Sequence, residues 1–143
     1  MGSKRLLHLL SAPVVYAVIV PLVLLDIAVT LYQEICFRIY GIARVRRARH
    51  VVFDRHRLAY LNGLEKLNCT YCSYANGVIS YARDIASATE QYWCPIKHDA
   101  GFAEPHPRYL DFLSYGDPSD YHLRLEQLRK SLSKDDGPDE PDI

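Results

Sequence analysis

Cys69 and Cys72 are separated by two residues, and Cys94 and His98 by three, in the stretch NCTYCSYANGVISYARDIASATEQYWCPIKH that runs from Asn68 to His98. A Cys-x-x-Cys turn lets two sulfurs face one ion, and a thiolate plus an imidazole from a second segment complete a tetrahedron. The expectation is a Cys3His site on Cys69, Cys72, Cys94 and His98. Four protein ligands leave no position for substrate, which fits a structural zinc; iron, or an iron–sulfur cluster, is the alternative metal. The same cysteines carry two other chemistries. A redox Cys-x-x-Cys wants a thioredoxin-like strand–helix context, which the pattern here does not supply. In an oxidising compartment, Cys69–Cys94 or Cys72–Cys94 disulfides would form instead. Cys36 adds a thiolate only if the domain folds against a membrane, and His56, His106 and His122 are spare imidazoles.

These ligands need elements that bring them together. Between them, Tyr74, Val78, Tyr81, Ile85, Ala88 and Tyr92 recur at helical spacing and predict the core face of one helix. A straight helix from Ser73 to Trp93 would be about 30 Å long and would hold Cys72 and Cys94 apart. Convergence therefore requires a break, at Asn76-Gly77 or around Ala86 to Thr89. Upstream, Asp54 is placed to cap a helix running to about Leu67, whose Leu58, Leu61, Leu64 and Leu67 form a stripe that packs on the core face. The pairs Ser80/Asp84 and Arg83/Ser87 fall on other faces and read as a solvated surface. Pro95 stops the helix, Asp99 to Pro107 is loop, and Tyr109 to Tyr115 is an apolar stretch that packs back. Asp117-Pro118 opens a final helix with a Leu125, Leu128, Leu132 stripe, and KDDGPDEPDI is a disordered acidic tail.

Ahead of all this lies LLSAPVVYAVIVPLVLLDIAVTLYQ, Leu9 to Gln33, with Asp26 its one charge. A span needs roughly 20 mostly apolar residues, and this run exceeds the roughly 7–15 of a signal core and lacks a small-x-small cleavage site. A membrane helix is predicted, starting at Pro13 and kinking near Pro21, where the backbone donors are missing. Asp26 in an apolar run costs a few kcal/mol unless it faces a partner, a cavity or the interface. Lys4 and Arg5 precede the run; Arg38, Arg44, Arg46, Arg47 and Arg49 follow it. That imbalance orients the C-terminal domain to the cytoplasm and offers Arg44, Arg46, Arg47 and Arg49 to anionic lipid. Gly2 is exposed after the initiator, but Leu6 replaces the Ser or Thr of a myristoylation signal.

Over the whole chain, 17 basic and 17 acidic residues cancel, so bulk charge argues against nucleic-acid binding. No P-loop, dinucleotide fingerprint or nucleophile motif is present, and no spacing supports a Cys/His hydrolase. The run LNCTYCSYANGVISYARDIASATEQYWCPIKH, preceded by FDRHRLAYLNGLEKL and an apolar block, resembles a family of small uncharacterised bacterial membrane proteins. The resemblance covers roughly Pro13 to His98 and implies a bacterial inner membrane, with no activity attached.

The sequence thus predicts a mostly α-helical protein: a membrane-embedded helix over 1–41, a basic juxtamembrane linker over 42–53, a helical domain stapled by the Cys/His cluster over 54–133, and a tail over 134–143. The expected role is a non-catalytic accessory or assembly subunit, in which Asp26 contacts another membrane protein. The rival role is a redox or metal-handling protein using Cys69, Cys72 and Cys94.

Overall fold

A computed structural model describes residues 2–54, 57, 59–101 and 104–134. The chain begins with one long helix, Gly2–Tyr40, of 39 residues, about 58 Å at about 1.5 Å per residue. It starts at Gly2 rather than at Pro13, so Pro13 lies inside its first segment, α1 (Gly2–Ala17). A one-residue interruption at Val18 separates α1 from α2 (Ile19–Tyr32). The cause is Pro21: it has no N–H to give the carbonyl of Ala17, four residues back, and its ring crowds that carbonyl. A π-helical turn, Gln33–Phe37, then widens the helix before α3 (Arg38–Tyr40). Such a turn turns two side chains inward, and here Gln33 and Phe37 are both buried.

Gly41 ends the helix at φ 70°, a left-handed conformation that needs no Cβ. The N–H of Ile42 donates to the Phe37 carbonyl at 2.9 Å, which closes a Schellman turn and buries Ile42. The chain now doubles back along the helix through a single helical turn, α4 (Arg47–His50), and an irregular stretch over 51–54. It turns again at Asn62, whose side chain accepts the Glu65 N–H at 2.9 Å while Glu65 accepts the Asn62 N–H at 2.9 Å. This capping box launches α5, Gly63–Trp93, 31 residues without a break.

α5 runs in the same direction as the N-terminal helix. Tyr71 meets Val15 and Tyr16, Tyr74 meets Asp26, Tyr81 meets Thr30 and Gln33, and Tyr92 stacks on Tyr40. Beyond it, Ile96 and Leu113 form an isolated parallel bridge, and the 3₁₀ turn Pro107–Asp111 leads to α6 (Tyr121–Lys134). The core lies at the C-terminal end of the long helix. Phe37, Ile42, Tyr81, Ile85, Ala88 and Leu132 fill it, and Val29, Tyr32, Tyr40, Val45 and Tyr92 pack around them. α1 contributes nothing to it: none of its described residues is buried.

Several expectations change here. The Asp54 carbonyl accepts the Arg57 N–H at 3.1 Å, but 59–62 are not helical, and the helix expected to end near Leu67 instead begins at Gly63 and continues. Leu64 and Leu67 are exposed, and Leu58 lies outside the described residues. The face carrying Val78, Tyr81, Ile85 and Ala88 is buried as predicted, but against the N-terminal helix and α6. Leu125, Leu128 and Leu132 are buried, and Leu113 pairs with Pro95 and Lys97, as the stripe and the apolar stretch imply. The acidic tail lies outside the described residues from 135 onward.

Candidate functional site

The continuity of α5 decides the fate of the Cys/His set. Cys69 and Cys72 occupy adjacent turns near its start, with Cys72 exposed. Cys94 follows its last residue, 22 residues after Cys72, or about 33 Å along the axis. His98 stacks on Tyr109 at 6.2 Å between ring centres, and its backbone N–H donates to the Tyr109 hydroxyl at 2.7 Å. Neither expected break, at Asn76-Gly77 or at Ala86 to Thr89, occurs. The structure therefore leaves Cys69 and Cys72 at one end of the fold and Cys94 and His98 at the other. Among the described residues no group of three or more His, Cys, Asp or Glu side chains is placed to hold an ion. All four cysteines are free thiols, including Cys36 in the π-turn. His56 lies outside the described residues, His122 is exposed beside Tyr121, and His106 is buried on Glu90 at 2.7 Å.

Asp26, in contrast, has its partners. Arg47 grips it with Nε on Oδ1 at 2.9 Å and Nη2 on Oδ2 at 2.6 Å, and the Tyr74 hydroxyl donates to Oδ2 at 2.9 Å. The paired geometry of a guanidinium and a carboxylate makes this the stronger kind of surface ion pair. The hydrogen bond to Asp26 raises the Arg47 pKa, and burial, followed by the same carboxylate, raises that of Tyr74. Glu34 collects Arg44 at 2.6 Å and Arg38 at 2.9 Å. Of the four arginines expected at the lipid surface, Arg44 pairs with Glu34 and Arg47 with Asp26 within the protein, and Arg46 and Arg49 are exposed.

The doubled-back segment builds a third site on α5. A Cβ at Gly77 would stand 2.7 Å from the His50 carbonyl oxygen and 2.9 Å from the Val51 Cα. Only glycine lets this backbone press onto the helix so closely. The approach lays the His50 ring over the next turns of α5. Its Nδ1 lies 2.8 Å from Ser80 Oγ and its Nε2 3.2 Å from Asp84 Oδ2. Asp84 is fixed from its far side by Arg108, which also donates to Ser87 Oγ at 2.8 Å. Ser73, Asn76, Gly77, Ser80, His50, Val52 and Asp54 line an open cleft of about 440 Å³ over this group. With Asp84 ionised, the ring proton belongs on Nε2, and the Nδ1 lone pair is left to accept the Ser80 O–H.

Sequence spacing gave Ser80 and Asp84 as an i, i+4 pair on a polar face and put His50 in a basic run. Nothing local links positions thirty residues apart; the one trace is Gly77, a glycine inside a helical pattern, which often marks close backbone approach. Compared with family models, curated proteins and solved structures, the chain matches none.

Proposed function

We propose that the protein is a membrane-anchored accessory subunit whose long helix continues past the bilayer to dock a partner membrane protein. Gly2–Tyr40 is long and apolar enough to cross a membrane, with an 18-residue window of mean hydropathy 2.5 and only 6% of that window buried. From Leu6 to Leu25 it carries no charged side chain, about 30 Å of helix, which equals the hydrocarbon thickness. Lys4 and Arg5 flank one end of that run. At the other, the Asp26–Arg47 pair marks the interface and spares the carboxylate a place in hydrocarbon. Arg46 and Arg49 are exposed and suited to anionic headgroups, and the five arginines on this side, Arg38, Arg44, Arg46, Arg47 and Arg49, outnumber Lys4 and Arg5 and orient the domain to the cytoplasm.

The observation that carries the docking role is the stripe beyond Asp26. Ile27, Leu31, Ile35 and Ile39 are 53%, 58%, 60% and 72% exposed and recur every four residues on the face away from α5. A bilayer that covers Leu6 to Leu25 does not reach them, and so many large apolar side chains in a row mark an interaction surface. A helix in a groove read through i, i+4 anchors is the matching recognition mode. The test is Leu31→Glu with Ile35→Glu in mildly solubilised native membranes. The wild-type chain should migrate in an assembly larger than its monomer, and the double variant as a monomer that still sediments with membranes. A wild-type chain migrating as a monomer would overturn the role while leaving the anchor intact.

A further inference from the structure

We propose that Ser80, His50 and Asp84 form a hydrolytic site for small carboxylic esters, an activity separate from the docking role above. Three features distinguish the group from a solvated helix face. Ser80 is exposed to the cleft, so its oxygen can reach a substrate. The base is delivered to it by a backbone contact that only Gly77 permits. The carboxylate that orients the base is itself held by Arg108 and is not left to turn into solvent. Nucleophile, base and orienting acid joined in sequence by hydrogen bonds are the arrangement that activates a serine, recognised by geometry and role and not by order along the chain. Here the imidazole uses Nδ1 toward the serine and Nε2 toward the carboxylate.

The reaction balances with water as the only co-substrate. Ser80 Oγ attacks the ester carbonyl carbon while its proton passes to His50 Nδ1. The carbonyl oxygen takes the negative charge. Asn76 lines the same cleft one turn away; its amide gives one hydrogen to the Cys72 carbonyl at 3.0 Å and has a second for this oxyanion. The tetrahedral adduct collapses, the bond to the alcohol oxygen breaks, and His50 returns the proton to the departing alkoxide. Water then gives a proton to His50 and attacks the acyl carbon. The Ser80 Oγ–acyl bond breaks, Oγ recovers its proton from His50, and the acid leaves. Ser80 and His50 are the catalytic residues, and Asp84 is a positioning residue. The cleft's size and mixed polar lining suit a short ester and not a fatty chain.

The experiment uses the full chain purified in detergent and treated with an alkyl fluorophosphonate, which reacts with activated serines. One adduct per chain, mapped by peptide mass spectrometry to Ser80, is expected. Turnover of p-nitrophenyl butyrate should fall at least about 100-fold in Ser80→Ala and in His50→Gln. In Asp84→Asn, kcat should fall with KM unchanged, whereas a merely structural role would move both. No adduct, an adduct elsewhere, or turnover that survives Ser80→Ala would overturn the assignment. If Ser80→Ala fails to fold, the mapped adduct on the wild-type chain decides alone.

Discussion

At Gly77 one hydrogen atom in place of a methyl sets the position of His50. In Gly77→Ala the clash is with backbone at 2.7 and 2.9 Å, so the segment over 50–51 has to lift. Overpacking of this kind costs about 1–3 kcal/mol, and alanine's better helix propensity returns about 1 kcal/mol. The expected outcome is a modest net loss of stability in urea, together with loss of the His50–Ser80 coupling seen as a changed His50 ring signal by NMR. Gln33 is the second residue on which much depends. It accepts the Val45 N–H at 3.1 Å, donates to the Val45 carbonyl at 3.3 Å, and donates to the Tyr81 hydroxyl at 2.6 Å, all in a buried setting. Gln33→Ala strands those groups, and each buried polar group left unpaired costs about 1–3 kcal/mol. A fall of at least about 2 kcal/mol in unfolding free energy is expected; a change under half of that would show that Val45 finds another partner. Gln33 does not announce itself in sequence, and Gly77 does so only as a glycine inside a helical pattern. The roles of Gly77, Gln33 and His50 all depend on a chain reversal that brings 42–54 onto two helices, and no local pattern encodes that pairing.

At the scale of elements, the periodic face of α5 and the α6 stripe were legible because burial imposes a period of 3.6 residues. The run Asn68 to Cys72 was not. Asn, Cys and Thr are weak helix formers, so propensity argues for a break there. Tertiary contacts override it: Asn68 accepts the Tyr16 hydroxyl at 2.5 Å, Tyr71 donates to the Val15 carbonyl at 2.7 Å, and the Asn62–Glu65 box starts the helix upstream. Asn62→Ala should therefore cost about 1 kcal/mol and loosen the first turns of α5, visible as faster amide exchange from Gly63 to Tyr71. An unbroken α5 also means that a zinc chelator leaves its helical circular-dichroism signal unchanged; a cooperative loss would require Cys69, Cys72, Cys94 and His98 to meet. Near α6, the Asp117 side chain accepts from Ser119, through its hydroxyl and its N–H at 3.0 Å, and both lower the Asp117 pKa. A depressed carboxylate contributes stability above its unfolded pKa, which is lost as pH falls through the lower folded value. In Ser119→Ala the Asp117 midpoint, followed by NMR, should rise toward the ordinary aspartate range of about 3.9.

For the whole molecule, the sequence showed an apolar helix with basic flanks and left its depth open, because hydropathy reports composition and not contacts. The structure adds where the polar groups go. Asp26 is met by Arg47 and Tyr74, so the uncharged run moves toward the N-terminus, to Leu6–Leu25. α5 stands beside the N-terminal helix, and its first turns reach Val15 and Tyr16 while its last turns pack in the core. The first turn of α5 carries Glu65 and Lys66, and the following turns, Leu67 to Ala82, carry no charged residue. Cys72 on α5 and Cys94 at its C-cap are both exposed and stand about 33 Å apart along the helix axis. The most direct test of the account is labelling with a membrane-impermeant maleimide. Cys94 should react in inverted membrane vesicles and not in sealed cells, and Cys72 should stay unreactive in both until detergent is added. Equal labelling of Cys72 and Cys94 in the absence of detergent would contradict the anchored arrangement.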